Sequence, residues 1–233
     1  MQESKSTCIK AVGVSMQCPF CKGFEVIRYG KTCQGKQRYR CKACQKFFLN
    51  VYTKLAYLPC VAGKIKRLLK EGCGIRSISR LLRIATATVM RKILQISRRL
   101  IPPQVYIGKE YEVDEIYTYV GSKDKLYWIV YAMEKDTRRV VDFAIGRRTN
   151  NTLRKITDRL ILSCASKVYT DKLLNYKYLL PPSIHSTKYR GTNYTERHHL
   201  TIRTHLKRLN RRSICYSKSA ILLSACLKIL FWS

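Results

Sequence analysis

Two Cys-x-x-Cys pairs, Cys18–Cys21 and Cys41–Cys44, stand nineteen residues apart near the start of this 233-residue chain. A Cys-x-x-Cys turn aims two sulfur atoms at one point, and two such turns complete a tetrahedral thiolate site of the kind that holds zinc. Four protein ligands leave no open coordination position, so the metal is structural. Between the pairs, EVIRYGK and KQRYR have the composition of two short strands about a turn at Gly30. The spacing predicts a zinc ribbon over residues 16–50, held by Cys18, Cys21, Cys41 and Cys44. Arg28, Lys31, Lys36, Arg38 and Arg40, interleaved with Tyr29 and Tyr39, give it a basic and aromatic surface suited to phosphate contact and stacking. The other seven cysteines (Cys8, Cys33, Cys60, Cys73, Cys164, Cys215 and Cys226) are scattered and are expected to be packing or bystander thiols. Residues 1–15 lack periodicity and are expected to be a loose lead-in.

Charge narrows the partner. The chain carries 46 Lys and Arg against 14 Asp and Glu, a formal net charge of +32. A compact protein tolerates such self-repulsion best when a polyanion neutralises it, which points to nucleic acid. No secretion signal is visible, and no apolar run reaches the ~20 residues of a membrane span. The longest, AILLSACL, is cut by Lys228 and is expected to be a packing helix. Metal-spaced cysteines without an export signal suggest a reducing cytoplasm.

From about Val61 the apolar residues recur at three- and four-residue spacing. VAGKIKRLLKEG, IRSISRLLRI and TATVMRKILQISRRL predict three short helices over residues 58–101, arranged as a helix-turn-helix. Its last helix would bring Thr86, Thr88, Arg91 and Lys92 to base edges or phosphates of double-stranded DNA. Pro102-Pro103 ends this part. Beyond it, KEYEVDEIYTYVG, LYWIVYAME and RRVVDFAIG predict an antiparallel meander of three strands. A helix (TNNTLRKITDRLILSC), a strand at residues 167–170, a tyrosine-rich connection to Pro181-Pro182, an extended piece near Ile184 and final helices follow. That order is the order of an α/β ribonuclease-H-like fold, expected over residues 106–233.

Between Arg159 and Ser233, fourteen basic residues surround only two acids, Asp171 and Glu196. Asp171 follows a β-prone run and Glu196 opens a helix, with Asn193 placed to cap it. In EVDE, alternation puts Glu112 and Asp114 on one strand face and Val113 and Glu115 on the other. Periodicity does not choose between Glu112 and Asp114 as a third carboxylate. Arg203, seven positions after Glu196, shares its helical face. His198 lies about 200° around the helix from Glu196 and should point away from it, to pack or to meet DNA. His199 is nearer in angle, and a histidine-held zinc is the weaker use of His198, His199 and His205.

The stretches YEVDEIYTYVG, GRRT, YTDK and TERHHLTIRTHLKRLNRRS, followed by YSKS, resemble the DDE transposases of the bacterial family typified by the first-described insertion sequence. The resemblance runs from about Cys18 to Ser219 and includes the zinc ribbon and helix-turn-helix. It implies a catalytic triad of Asp114, Asp171 and Glu196, with Arg203 as the basic residue after the glutamate. It also implies two Mg²⁺ (or Mn²⁺) ions on the triad, cleavage at the terminal inverted repeats of an insertion sequence, and transfer of the freed 3′-hydroxyl to target DNA. A homo-oligomer working at the bacterial nucleoid is the corresponding assembly. The alternative from the residues is a non-catalytic regulator that binds DNA through ribbon and helix-turn-helix.

Overall fold

The computed structural model describes residues 16–50, 55–187, 192–210 and 216–233. The lead-in, Cys8 and Cys215 lie outside the described residues. The chain divides into two compact units, 1–59 and 60–233.

In the first unit, β1 (Val26–Lys31), β2 (Gln37–Cys41) and β3 (Phe47–Leu49) form an antiparallel sheet in that order. The third strand was not expected, because three residues are too short to show a period. Gly30 is also not the turn. It sits within β1 at φ +63°, where the pairing register slips, and the chain reverses at residues 32–36, with the Gly35 N–H donating to Thr32 O. The slip is a bulge, a use of left-handed glycine as common as the turn itself. Among the described residues of this unit, Cys18, Cys41 and Phe48 form the buried cluster. So small a core needs a metal to hold it.

The second unit begins with α1 (Val61–Lys70), α2 (Ile75–Leu82) and α3 (Thr86–Ser97). Val61, Ile65 and Leu69 bury one stripe of α1, and Val89, Ile93 and Ser97 bury one stripe of α3, the four-residue spacing that places side chains on a common face. Gly72, at φ +78°, stops α1 while its N–H donates to Leu69 O. A side chain there would meet the carbonyl oxygen of Thr204 at 3.2 Å, so glycine is required twice over.

A five-stranded sheet follows: β4 (Glu110–Val120), β5 (Ser122–Glu134), β6 (Val140–Gly146), β7 (Lys167–Tyr169) and β8 (His185–Ser186), in the order β6-β5-β4-β7-β8. The first three pair antiparallel, and β7 and β8 add in parallel. This is the ribonuclease-H-like arrangement. One face packs on α4 (Asn150–Leu162) and α5 (Leu174–Leu179), burying Tyr111, Val113, Val130, Ala132, Leu153 and Ile156. The tyrosine-rich connection is therefore partly helical: Tyr176 is buried while Tyr178 is exposed, and six residues give too few repeats for a helical period to stand out. The other side of the sheet receives α6 (Asn193–His205) on β4 and α7 (Ala220–Trp232) on β6. The apolar C-terminal segment is the packing helix expected. α7 lies against α1 and α3 as well as β6, and the Trp232 indole N–H donates to Val140 O at 2.9 Å. No helix among the described residues is long and apolar enough to cross a membrane. Of the remaining described cysteines, Cys226 is buried, Cys33, Cys60 and Cys164 are exposed, and Cys73 is intermediate.

Candidate active site and zinc cluster

The four ribbon cysteines converge. Their sulfur atoms all lie within 4.8 Å of one another, with Cys18–Cys44 at 3.6 Å and Cys21–Cys41 at 3.5 Å. A zinc ion bonded to sulfur at about 2.3 Å in a tetrahedron sets its ligands about 3.8 Å apart, so the donor set fits. Burial works against ionising Cys18, but backbone N–H groups of Cys21 and Phe20 and the neighbouring thiols bring its pKa down to about 6. The Gly23 N–H favours the Cys21 thiolate, but the neighbouring thiols, Cys41 foremost, push Cys21 up to about 11, so the cluster favours one thiolate, and a metal cation is what would let the remaining thiols ionise. On the ribbon surface Tyr29 and Phe47 touch at 4.9 Å, and the guanidinium of Arg38 lies 5.6 Å from the Tyr29 ring.

The carboxylate site is built on the central strand. Glu110, Tyr111 and Glu112 of β4 pair with Lys167, Val168 and Tyr169 of β7, an offset of 57 residues. The ladder ends there; carried two positions past it, that offset would set Asp171, which follows β7, level with Asp114, and Asp171 Oδ1 accepts the Leu173 N–H at 3.1 Å. Asp114 looks toward α6: its cross-strand neighbour Tyr131 donates to Thr195 O, and His199 Nε2 lies 3.6 Å from Asp114 Oδ2. Glu196 occupies the first turn of α6. Burial pushes the Asp114 carboxyl up to about 7; the charges of Asp171, Glu115 and Glu196 add to the rise, and the Glu115 backbone N–H opposes it. The three acids thus share one electrostatic environment. They do not close as tightly as the thiolates, because the cysteines are the one group of three or more ligand residues among the described residues whose donor atoms all meet within 4.8 Å. Acidic oxygens in a shared, partly open site suit a hard divalent cation that keeps some of its water.

The remaining acids of EVDE have separate partners. Glu115, on the opposite strand face, accepts from Arg148 Nε at 2.7 Å and from the Tyr176 hydroxyl at 2.9 Å. Arg148 lies over the Trp128 ring at 4.4 Å and brings Nη2 to 3.9 Å from Asp171 Oδ2. Glu112 turns toward α6, where its Oε2 accepts the Thr195 N–H at 3.0 Å. Strand alternation puts Glu115 on the other face, as expected; Arg148 and Thr195 fall inside the GRRT and TERHH motifs, while Tyr131 and Tyr176 carry no signal of their own in the sequence.

Asn193 is the first residue of α6 rather than its cap: Thr192 holds the cap position and makes no side-chain cap hydrogen bond. Chain direction before the helix decides which residue takes that place, and sequence alone did not reveal it. His198 packs its ring between Tyr131 and Phe231, at 5.7 and 5.9 Å, and burial lowers its pKa. His205 is bonded through Nδ1 to the Lys70 carbonyl. His198 and His199 both lie against the Tyr131 ring, His199 at 5.6 Å, while His205 turns to α1. Arg203 lies on α6, two turns after Glu196. Beside α6, a cleft of about 300 Å³ is lined by Lys70, Arg138, Arg139, His198, Thr201 and His205. On α3, Arg91 is exposed on the side away from Val89 and Ile93, Thr88 and Lys92 are half-buried beside that stripe, and Thr86 is exposed at the start.

Residues 108–228 match the family model described as IS1 transposase, just over half of the chain. The chain belongs to the IS1 transposase family. In this transposase a second match covers residues 12–45, to the zinc ribbon described as the InsA N-terminal domain. Among curated relatives, the iso-IS1n protein InsB of Shigella dysenteriae is 35% identical over 46% of this chain and 82% of its own length. The IS1 protein InsB of Shigella flexneri is 37% identical with the same coverage. The IS1 2 protein InsB of Escherichia coli K12 is 36% identical over 46% of this chain and 65% of its own. The transposase is accordingly an enzyme of the DDE class whose ribbon holds a structural zinc.

Proposed function

We propose that Asp114, Asp171 and Glu196 are the catalytic carboxylates of this transposase, and that it cuts DNA at the terminal inverted repeats of an insertion sequence and joins the freed 3′-ends to a target. The observation that supports this is the Asp114 carboxyl on the α6 side of β4, raised by burial and by the charges of Asp171 and Glu196 among others, with Asp171 two residues past β7, the parallel neighbour of β4, and Glu196 in the first turn of α6. Two Mg²⁺ or Mn²⁺ ions held by these oxygens would supply activation of the attacking oxygen and stabilisation of the leaving one. Asp114 must lose its proton to serve as a ligand. Arg203 and the basic cleft beside α6 hold the phosphates of the strand being cut, since cations there offset the charge brought by DNA.

The three parts take different tasks. The ribbon, residues 16–50, and the helices of 58–101, with Thr86, Thr88, Arg91 and Lys92 directed at DNA, select the ends. The sheet domain, 106–233, does the chemistry, because carboxylates carry no sequence information. Two ends must be cut for one element to move, so the active assembly is a homo-oligomer on double-stranded DNA, working at the nucleoid in the bacterial cytoplasm. The test is a strand-transfer assay on DNA carrying the gene's flanking ends. Asp114→Ala, Asp171→Ala and Glu196→Ala each lose Mg²⁺-dependent nicking and joining while still shifting end DNA. Retained cleavage in all three removes the assignment, and a wild-type protein that binds DNA without any Mg²⁺- or Mn²⁺-dependent nicking would return the regulator alternative.

A further inference from the structure

The peptide immediately before Glu196 is held from two sides by the sheet. Thr195 is fully buried. Its N–H donates to Glu112 Oε2 at 3.0 Å, its carbonyl accepts from the Tyr131 hydroxyl at 3.0 Å, and its own hydroxyl donates to Thr192 O at 2.7 Å. Glu112 comes from β4, two residues before Asp114, and Tyr131 is the residue of β5 paired with Asp114. Both clamp arms therefore spring from the strands that carry or flank the first carboxylate of the triad.

The N-terminus of α6 needs such an arm. The first N–H groups of a helix have no partner within it, and Thr192 supplies none from its side chain. A carboxylate reaching over from the neighbouring strand does the work of a cap, with the favourable sign toward the positive end of the helix. Stability alone gives a poor account of Glu112. It is 1% exposed, and its second oxygen, Oε1, is buried with no hydrogen-bond partner among the described residues, a costly arrangement for a group that only fills space.

We infer that Glu112 and Tyr131 are positioning residues which clamp the Thr195 peptide and thereby fix the place of the Glu196 carboxylate relative to Asp114. The inference rests on the assignment of Asp114, Asp171 and Glu196 as the metal-holding triad. Neither clamp residue touches substrate in this role. Each acts through one backbone group, next to the side chain whose placement matters.

Glu112→Met, which keeps the length of the side chain but has no oxygen to accept the Thr195 N–H, and Tyr131→Phe, both made in the full chain, test this. Tyr131→Phe removes one oxygen without changing shape, so it remains informative even where Glu112→Met folds poorly. Metal binding is read by Tb³⁺ luminescence on the DNA-free protein, and single-turnover cleavage of end DNA is titrated with Mg²⁺. Both variants should raise the Tb³⁺ and Mg²⁺ midpoints roughly tenfold, the scale seen when an outer partner of a metal ligand is lost. Cleavage at saturating Mg²⁺ should return to within about twofold of wild type, because orientation is recovered by mass action when the metal is in excess. Affinity for end DNA should not change. Glu196→Ala separates the two levels of the argument. If it shifts the Tb³⁺ midpoint and the clamp variants do not, the clamp is overturned and the triad stands. If Glu196→Ala leaves the midpoint where it was, the triad assignment falls and takes the clamp's purpose with it.

Discussion

The thiolate cluster of the ribbon and the carboxylate site of the sheet gather their ligands in opposite ways. Cys18, Cys21, Cys41 and Cys44 come from two turns less than thirty residues apart, and their sulfurs already meet within 4.8 Å. Asp114, Asp171 and Glu196 come from a central strand, the end of a neighbouring strand and a helix, and remain more open. The difference follows from what each metal does. A structural zinc replaces a missing hydrophobic core and must be fully enclosed. A catalytic cation must leave room for an attacking oxygen, a phosphate and a leaving group, and like charges resist being brought together until it arrives. The rise of Asp114 to about 7 under burial, with the charges of Asp171, Glu115 and Glu196 adding to it, is the electrostatic cost of setting a carboxyl inside the fold among other acids.

The largest effect that would sharpen the contrast is catalytic. Alanine at Asp114, Asp171 or Glu196 should lower cleavage by at least about a thousandfold, the order expected when charge stabilisation at the reacting centre is lost, with circular dichroism unchanged. Cys41→Ser should do the reverse. Structural zinc contributes roughly 10 kcal/mol or more to small domains of this kind, so the ribbon should become protease-sensitive and lose zinc, while the 60–233 unit keeps its melting transition. A ribbon that stays folded without metal would erase the distinction drawn here.

A smaller effect concerns pH. The Asp114 pKa is raised on folding, so the folded protein binds an extra proton between the unfolded carboxylate range and about 7. Its stabilising contribution is complete below the unfolded pKa and is lost as pH climbs through 7. Asp114→Asn should therefore be more stable than wild type at pH 8, by on the order of 2 kcal/mol after allowing for relaxation of the site, and the two should converge near pH 4. Thermal melts of the metal-free proteins at both pH values check this, and equal melting at pH 8 would mean that neither burial nor the neighbouring acids raise Asp114 on folding. The mildest change is a loss of one phosphate contact: Arg91→Ala should weaken end binding modestly and reduce the slope of log affinity against log salt by about one. An unchanged slope would remove Arg91 from the phosphate contacts.

Local patterns made most of the elements legible. The Cys-x-x-Cys spacing announced the ribbon because both turns are local. Four-residue apolar spacing marked α1 and α3, and the long β-rich runs marked β4, β5 and β6. Where the repeat is short the signal fades, so β3 and α5 leave no period in the sequence, and a glycine such as Gly30 reads equally as a turn or as the bulge it is. Alternation divided EVDE into two faces, but Glu112 and Asp114 share one face and only their partners tell them apart: Thr195 N–H for the first, and the neighbourhood of Asp171 and His199 for the second.

The amino-acid sequence by itself determined the zinc ligands, the three-helix segment, the strand order and the strongly basic character of the chain, since each depends on spacing or composition within a short window. Tertiary structure alone decided that Arg148 leans toward Asp171, that Tyr131 and Glu112 grip the turn before Glu196, and that α7 joins the helices to β6. Those contacts link residues tens of positions apart, and only the packing of strands and helices against each other fixes which of many polar side chains come within a hydrogen bond's reach.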